Sequence, residues 1–250
     1  MPALASDNPY VPDAVRESWK NLPEQEYRRF VLGDWDVADD PDQLIKFEWL
    51  HDAKFNVSPI TGRNSMGIDV ARFGDDMTTF AYYRGNELYE IQDYSGLRLN
   101  KTASMAVKEM LARGIGADRV GVDVVGIGAG VADIMIGDGY HVKEIVSGAA
   151  AVENIESTYQ FRNLRTQMWW AYREALRLGK ISMSYHNPKL DDDLLSVHYK
   201  MQSDKTIHVE TKDEIKKRIG RSTDYGDSAV YGHAAPWIPA TSNAPLVVFG

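Results

Sequence analysis

The 250-residue sequence contains no cysteine. That excludes disulfides, thiol nucleophiles and thiolate metal sites, and it suits a reducing compartment. No apolar run approaches the ~20 residues that cross a bilayer, so no membrane partner is expected. The opening MPALASDNPY lacks the basic stretch and apolar core of a secretory signal. No G-x-x-x-x-G-K-[ST] stretch occurs, so the chain has no Walker A loop to cradle a nucleotide's phosphates. The six histidines form no zinc-ligand spacing, and there are no internal repeats. Positive charge is in the minority, with 28 Lys and Arg against 36 Asp and Glu, a net −8. This argues against a nucleic-acid coat. It leaves room for an enzyme that meets a phosphate backbone through a local basic patch and bound cations. What remains, 44% hydrophobic and 26% charged residues, is the composition of a globular protein with one large domain or one domain and an extension.

Residues 1 to about 60 read differently from the remainder. In SDNPYVPDAVRESWKNLPEQEYRRFVLGDWDV, Ser6, Asp7 and Asn8 suit a turn, Pro12 and Asp13 open a helix, and a second short helix starts near Pro23. No strand rhythm appears before FEWLHDAKF, so residues 1–60 are expected to form an arm or linker. From Met66 onward, MGIDVAR, TTFAYYR and ELYEIQDY are β-rich runs joined by the tight-turn material FGDD and GN, which predicts a three-strand antiparallel meander. NKTASMAVKEMLARG predicts a helix capped by Asn100 and stopped at Gly114. RVGVDVV, GAGVADIMIGDG and HVKEIV then read as strand, helix and strand, giving an α/β fold with a mixed sheet flanked by helices. A long helix over about 159–178 carries Leu164, Met168, Ala171, Ala175 and Leu178 as its buried stripe. LLSVHYKM and TIHVET around QSDK predict a hairpin over 194–211, and KDEIKKRIGRS leads into a terminal helix at TDYGDSAVYGHAA. Residues 61–236 thus form the expected domain, and 237–250 a tail.

Two carboxylates interrupt apolar strands: Asp69 in MGIDV and Asp123 in VGVDV. An unpaired charge in a strand is costly to desolvate. A single such aspartate usually serves a turn, cap or edge, but two in matching contexts point to a shared site. In a sheet where the first and the post-helix strands are neighbours, the two carboxylates meet on one edge. They then repel unless a cation neutralises them. Mg²⁺ or Mn²⁺ bound through such carboxylates resolves that conflict, and a pair of ions supports phosphodiester hydrolysis. The third acid is expected on the terminal helix, where Asp224 and Asp227 share a face. Asp75 and Asp76 fit a hairpin turn, and the acidic run at 191–193 reads as a solvated helix face. Gly126 and Gly128 begin a dinucleotide-type loop, but Val131 stands where its third glycine belongs, so they are read as a sharp turn beside the metal. Lys205, Lys212, Lys216, Lys217, Arg218 and Arg221 gather ahead of the third acid as a candidate DNA-binding stretch.

The order of meander, helix, acid-bearing strand, helix and strand is ribonuclease H-like. The whole chain resembles the C-terminal nuclease region of a large terminase subunit from tailed bacteriophages. SDNPY…LPEQEYRRFVLGDWDV resembles the lead-in from that family's ATPase domain, GIDVARFGDDMTTF its first-strand motif, VGVDVVGIGAGVADIM its second acidic motif and STDYGDSAVYG its last. The resemblance runs from about residue 5 to about 236. It implies a ribonuclease H-like endonuclease cutting double-stranded viral DNA at the start and end of genome packaging. It also implies Asp69, Asp123 and Asp227 as catalytic metal ligands, Asp224 as an assisting ligand, Asp76 as a further acid, and two Mg²⁺ or Mn²⁺ ions. The implied partners are double-stranded DNA, the portal protein, the small terminase subunit and the terminase ATPase domain, whose Walker motifs this chain lacks. The implied location is the host cytoplasm at the procapsid portal, outside the mature virion. The rival expectations are a catalytically weak DNA- or portal-binding module and another ribonuclease H-like nuclease such as a resolvase.

Overall fold

A computed structural model of the chain describes residues 40–55, 59–71, 76–152 and 159–239, with Pro12, Arg16 and Val31. The turn and helices expected over residues 6–36, Asp75 and most of the expected tail lie outside the described residues. Strand β1 (Ser65–Asp69) is buried along its whole length, because it lies near the centre of a six-stranded sheet. It runs antiparallel to β2 (Thr78–Arg84), which turns into β3 (Glu87–Tyr94), as the meander expectation requires. Its other neighbour is β4 (Val120–Asp123), parallel, and beyond that lies β5 (Lys143–Ile145). The last edge strand is β7 (Ser182–Met183), parallel to β3. This is the expected α/β mixed sheet. A smaller three-stranded sheet pairs β6 (Gln160–Phe161) with β9 (Thr206–Val209) and β9 with β8 (Tyr199–Met201).

Strand alternation sorts side chains to the two faces. Met66 and Ile68 of β1, Phe80 and Tyr82 of β2 and Val120 and Val122 of β4 form one core with helices α2 (Leu99–Ala112) and α3 (Gly128–Gly137). On the opposite face Ala81 and Tyr83 join a second core with α4 (Leu164–Arg177), α5 (Pro188–Ser196) and α7 (Asp224–Ala234). Gly67, Asp69, Gly121 and Asp123 are the alternate residues of β1 and β4, and they face α7. Gly67 is required there, and Gly121 is favoured. A Cβ on Gly67 would lie 2.0 Å from the carbonyl of Ser228 and 2.2 Å from the nitrogen of Gly232. A Cβ on Gly121 would lie 3.0 Å from the Tyr231 carbonyl. The helix therefore rests directly on the strand backbones.

Several boundaries differ from the sequence expectation. Asn100 lies inside α2; the N-cap is Arg98, without a side-chain cap bond, while Gly114 takes a left-handed φ of +61° just past the helix. The helix expected over 159–178 starts at Leu164, capped by the Asn163 side chain, because β6 takes up Gln160 and Phe161. Its buried face is Leu164, Arg165, Met168, Trp169, Tyr172, Ala175 and Leu176, and Leu178 is exposed. The large aromatics carry the face further round than the small stripe implied. Of the expected hairpin, residues up to Ser196 belong to α5, leaving the shorter β8–β9 pair. Within the expected arm, Leu44, Ile45, Leu50 and Ala53 are core residues, the last two on α1 (Phe47–Phe55).

Candidate metal centre

β1 and β4 pair in register through Gly67↔Gly121 and Ile68↔Val122. One residue further, Asp69 and Asp123 stand side by side on the face covered by α7. That helix brings Asp227 from its first turn, and all three aspartates are buried. Among the described residues no three acid or imidazole groups surround a ready metal position. The ammonium of Lys212 stands where the three acids meet. Its Nζ lies 3.0 Å from both oxygens of Asp69, 3.0 Å from Asp123 Oδ2 and 3.6 Å from Asp227 Oδ2. Lys212 is the first residue of α6 (Lys212–Ile219), whose start is held by a capping box between Thr211 and Glu214.

The acids differ in their other partners. Asp69 accepts from Lys212 alone among the hydrogen bonds of the described residues. Asp123 accepts the Val125 amide at Oδ1 (2.9 Å) and the Tyr231 hydroxyl at Oδ2 (2.8 Å). Asp227 Oδ1 accepts from Arg165 Nη1 and from Trp169 Nε1 (3.1 Å), and its Oδ2 accepts from Thr223 Oγ1 (2.9 Å). Asp224 accepts the Met77 amide at Oδ2 (2.7 Å), and its carbonyl accepts from Thr79 Oγ1 (2.7 Å), which ties α7 to the start of β2.

These environments pull the carboxyl groups apart. Burial pushes Asp69 up to about 8; Lys212 opposes this, and Asp227, Asp123 and Asp224 add to it. Asp224 is raised to about 6, chiefly by burial, against the Met77 amide. Burial would raise Asp227 too, but Arg165 and Lys212 outweigh it and hold that carboxyl below its ordinary value. Lys212 is held well above the ordinary lysine value: burial works against its charge, and Asp69, Tyr231, Asp227 and Asp123 more than compensate. The cluster is made of hard oxygen donors, as Mg²⁺ and Mn²⁺ require, and its centre already holds a cation. Its residues therefore fit a divalent ion.

The other predicted residues fall elsewhere. Asp76 pairs with Lys216 Nζ (2.8 and 2.9 Å) and Ser222 Oγ (2.8 Å); against the effect of burial, these bonds hold it below the usual carboxylate range. Within the basic stretch, Arg218 pairs with Glu210, and Arg221 with Asp193. Lys205 and Lys217 are exposed. The acidic run at 191–193 is not a solvated face: only Asp192 is exposed. Asp191 pairs with Lys54, while the fully buried Asp193 caps α7 through the amides of Tyr225 and Gly226, both 3.0 Å. The places of Arg165, Trp169, Thr223 and Tyr231 beside the acids went unread in the sequence, and so did the central place of Lys212. The spacing of Asp224, Asp227 and Tyr231 along one helix face, and of Arg165 and Trp169 along another, was the available signal.

Class and likeness follow from this geometry. A mixed sheet with aspartates at the adjacent ends of its first and fourth strands, closed by an acid-bearing helix, is the ribonuclease H-like fold of phage terminase nucleases. The chain aligns with the nuclease domain of the large terminase subunit gp2 of bacterial virus Sf6 at a TM-score of 0.67 and 20% identity, covering 79% of this chain and 100% of that one. A lysine-to-alanine mutant of that domain, solved with manganese and beta-thujaplicinol, aligns at 0.66 with 20% identity over the same shares. The large terminase nuclease from thermophilic phage G20c, with bound cobalt, aligns at 0.53 with 12% identity over 78% and 98%. No family model and no curated protein matches the sequence.

Proposed function

We propose that this chain is the nuclease of a large terminase subunit, a divalent-metal-dependent endonuclease that cuts double-stranded viral DNA when genome packaging starts and ends. The observation that carries this reading is the convergence of Asp69, Asp123 and Asp227 on one cation. The solved relatives bound to manganese, magnesium and cobalt support it. Asp69 is the least committed of the acids and would hold the metal together with Asp123 and Asp227. A divalent ion bound there supplies an activated water and stabilises the leaving oxygen. The protein's own part is geometric. Tyr231 and the Val125 amide fix the rotation of Asp123, Arg165 and Trp169 fix that of Asp227, and the Met77 amide holds Asp224 at the rim. Lys205 and Lys217 are exposed, as are Lys216 and Arg218 beside their acidic partners, and these cations would meet the DNA backbone. The portal, the small terminase subunit and the ATPase domain are the proposed partners, at the procapsid in the host cytoplasm.

Supercoiled plasmid tests this reading. Cutting is expected with Mn²⁺ or Mg²⁺, none in EDTA, and a loss of about 10²-fold or more in Asp69→Asn, Asp123→Asn and Asp227→Asn. Cutting that persists in chelator would refute it. The second reading is a DNA- or portal-binding module without catalysis. It is favoured by the same ammonium, since Lys212 neutralises the acids with no metal present. Plasmid retarded in a gel but left intact with Mn²⁺ would select that module.

A further inference from the structure

Asp227 is held unlike the other acids of the cluster. Its Oδ1 is fully used, by the guanidinium of Arg165 and the indole N–H of Trp169. Both donors come from the buried face of α4, four residues apart, and Arg165 stands over the Trp169 ring at 5.4 Å. Neither charge has an escape to water: Arg165 is 5% exposed and Asp227 fully buried. The guanidinium is itself fixed. Its Nε donates to the Glu210 carbonyl at 3.3 Å, while Nη2 is buried without a partner among the described residues. A buried guanidinium that leaves one donor unsatisfied carries a desolvation cost, which its pairing with the carboxylate chiefly offsets. The lysine at the centre approaches Asp227 only from the Oδ2 side, at 3.6 Å, against 3.0 Å to Asp69 and Asp123.

We propose that Arg165 is a positioning residue that confines Asp227 to one metal-facing oxygen, Oδ2, and cancels most of its charge, so that it lowers the affinity of the site for divalent cations in order to fix the ligand's orientation. The inference rests on reading the cluster as a divalent-metal site. Without the guanidinium, Asp227 has a full negative charge and a second oxygen held only by the neutral Trp169 donor, which favours a tighter and less directed site. Arg165 thereby acts through Asp227.

The test is Mn²⁺ titration of the metal-free 250-residue chain by electron paramagnetic resonance, with thermal melting of both forms alongside. Arg165→Gln is expected to bind Mn²⁺ about tenfold more tightly than wild type, from the lost repulsion of one nearby charge. It is also expected to melt lower without metal and to gain more from Mn²⁺ than wild type does. A merely structural arginine would lower both melting points equally and leave the Mn²⁺ affinity unchanged. Arg165→Lys keeps the charge and is expected to restore the wild-type affinity to within about threefold. Should Arg165→Gln fail to fold, Trp169→Phe removes the neutral donor from Oδ1 and is expected to tighten Mn²⁺ by a few fold. Wild-type affinity in every folded variant overturns the proposal. Absence of Mn²⁺ binding by wild type overturns it together with the metal-site reading, whereas binding by wild type with no change on substitution overturns the role of Arg165 alone.

Discussion

At the scale of single residues, the centre of the site is an equilibrium between one built-in cation and whatever replaces it. Lys212 satisfies three carboxylates that would otherwise repel, and its side chain is 34% exposed while theirs are nearly enclosed. Replacing it by alanine strands that negative charge. Lys212→Ala is expected to cost the metal-free protein about 1–2 kcal/mol, less than a wholly buried pair because water reaches the ammonium. The same variant is expected to gain more thermal stability from Mn²⁺ than wild type gains. Differential scanning fluorimetry with and without Mn²⁺ reads both effects, and equal metal-induced shifts would show that ammonium and metal do not share the site.

At the scale of elements, the decisive contact is α7 lying on the backbones of β1 and β4. It depends on Gly67 and, less strictly, on Gly121, each two residues before its aspartate, so the glycine that admits the helix and the acid that the helix covers share one strand face. Gly67→Ala drives a methyl group into the Ser228 carbonyl and the Gly232 nitrogen. Neither backbone can move without the whole helix moving. A loss of about 3 kcal/mol or more is expected by urea unfolding, at the top of the overpacking range. Plasmid cutting should be lost as well, because Asp227 moves with the helix. A near-wild-type unfolding midpoint would mean that α7 does not sit this close.

At the scale of the whole molecule, the far end of α7 makes stability depend on pH. His233 stacks edge-on against Tyr172, with ring centroids 5.3 Å apart, and its Nδ1 is enclosed without a partner among the described residues. Burial lowers its pKa from the ordinary 6.5 to about 4. The folded protein therefore resists a proton that the unfolded chain accepts. No penalty exists above about pH 6.5, and stability is lost as the pH falls from there toward 4. The loss should reach on the order of 2 kcal/mol by pH 5. Carboxylates titrate over the same range, so the informative quantity is a difference: His233→Phe should lose less stability between pH 7 and pH 5 than wild type does. Parallel pH profiles for the two proteins would remove His233 from the account.

The sequence by itself determined the strand meander, the helix, strand, helix and strand that follow it, and the two strand acids with a third on the last helix. Each is local: alternation, turn residues and an aspartate out of place in an apolar run are visible within ten residues. Tertiary structure decided what surrounds those acids. Lys212 reads as one more cation in a basic run, and only the position of α6 turns it inward. Arg165 and Trp169 widen the buried face of a helix beyond its small apolar stripe, and no local pattern says that its guanidinium meets a carboxylate 62 residues away. Asp193 reads as part of a solvated run until the N-terminus of α7 arrives to be capped by it. An apolar pattern is set by neighbours along the chain, whereas the partner of a buried charge is set by whichever element closes over it.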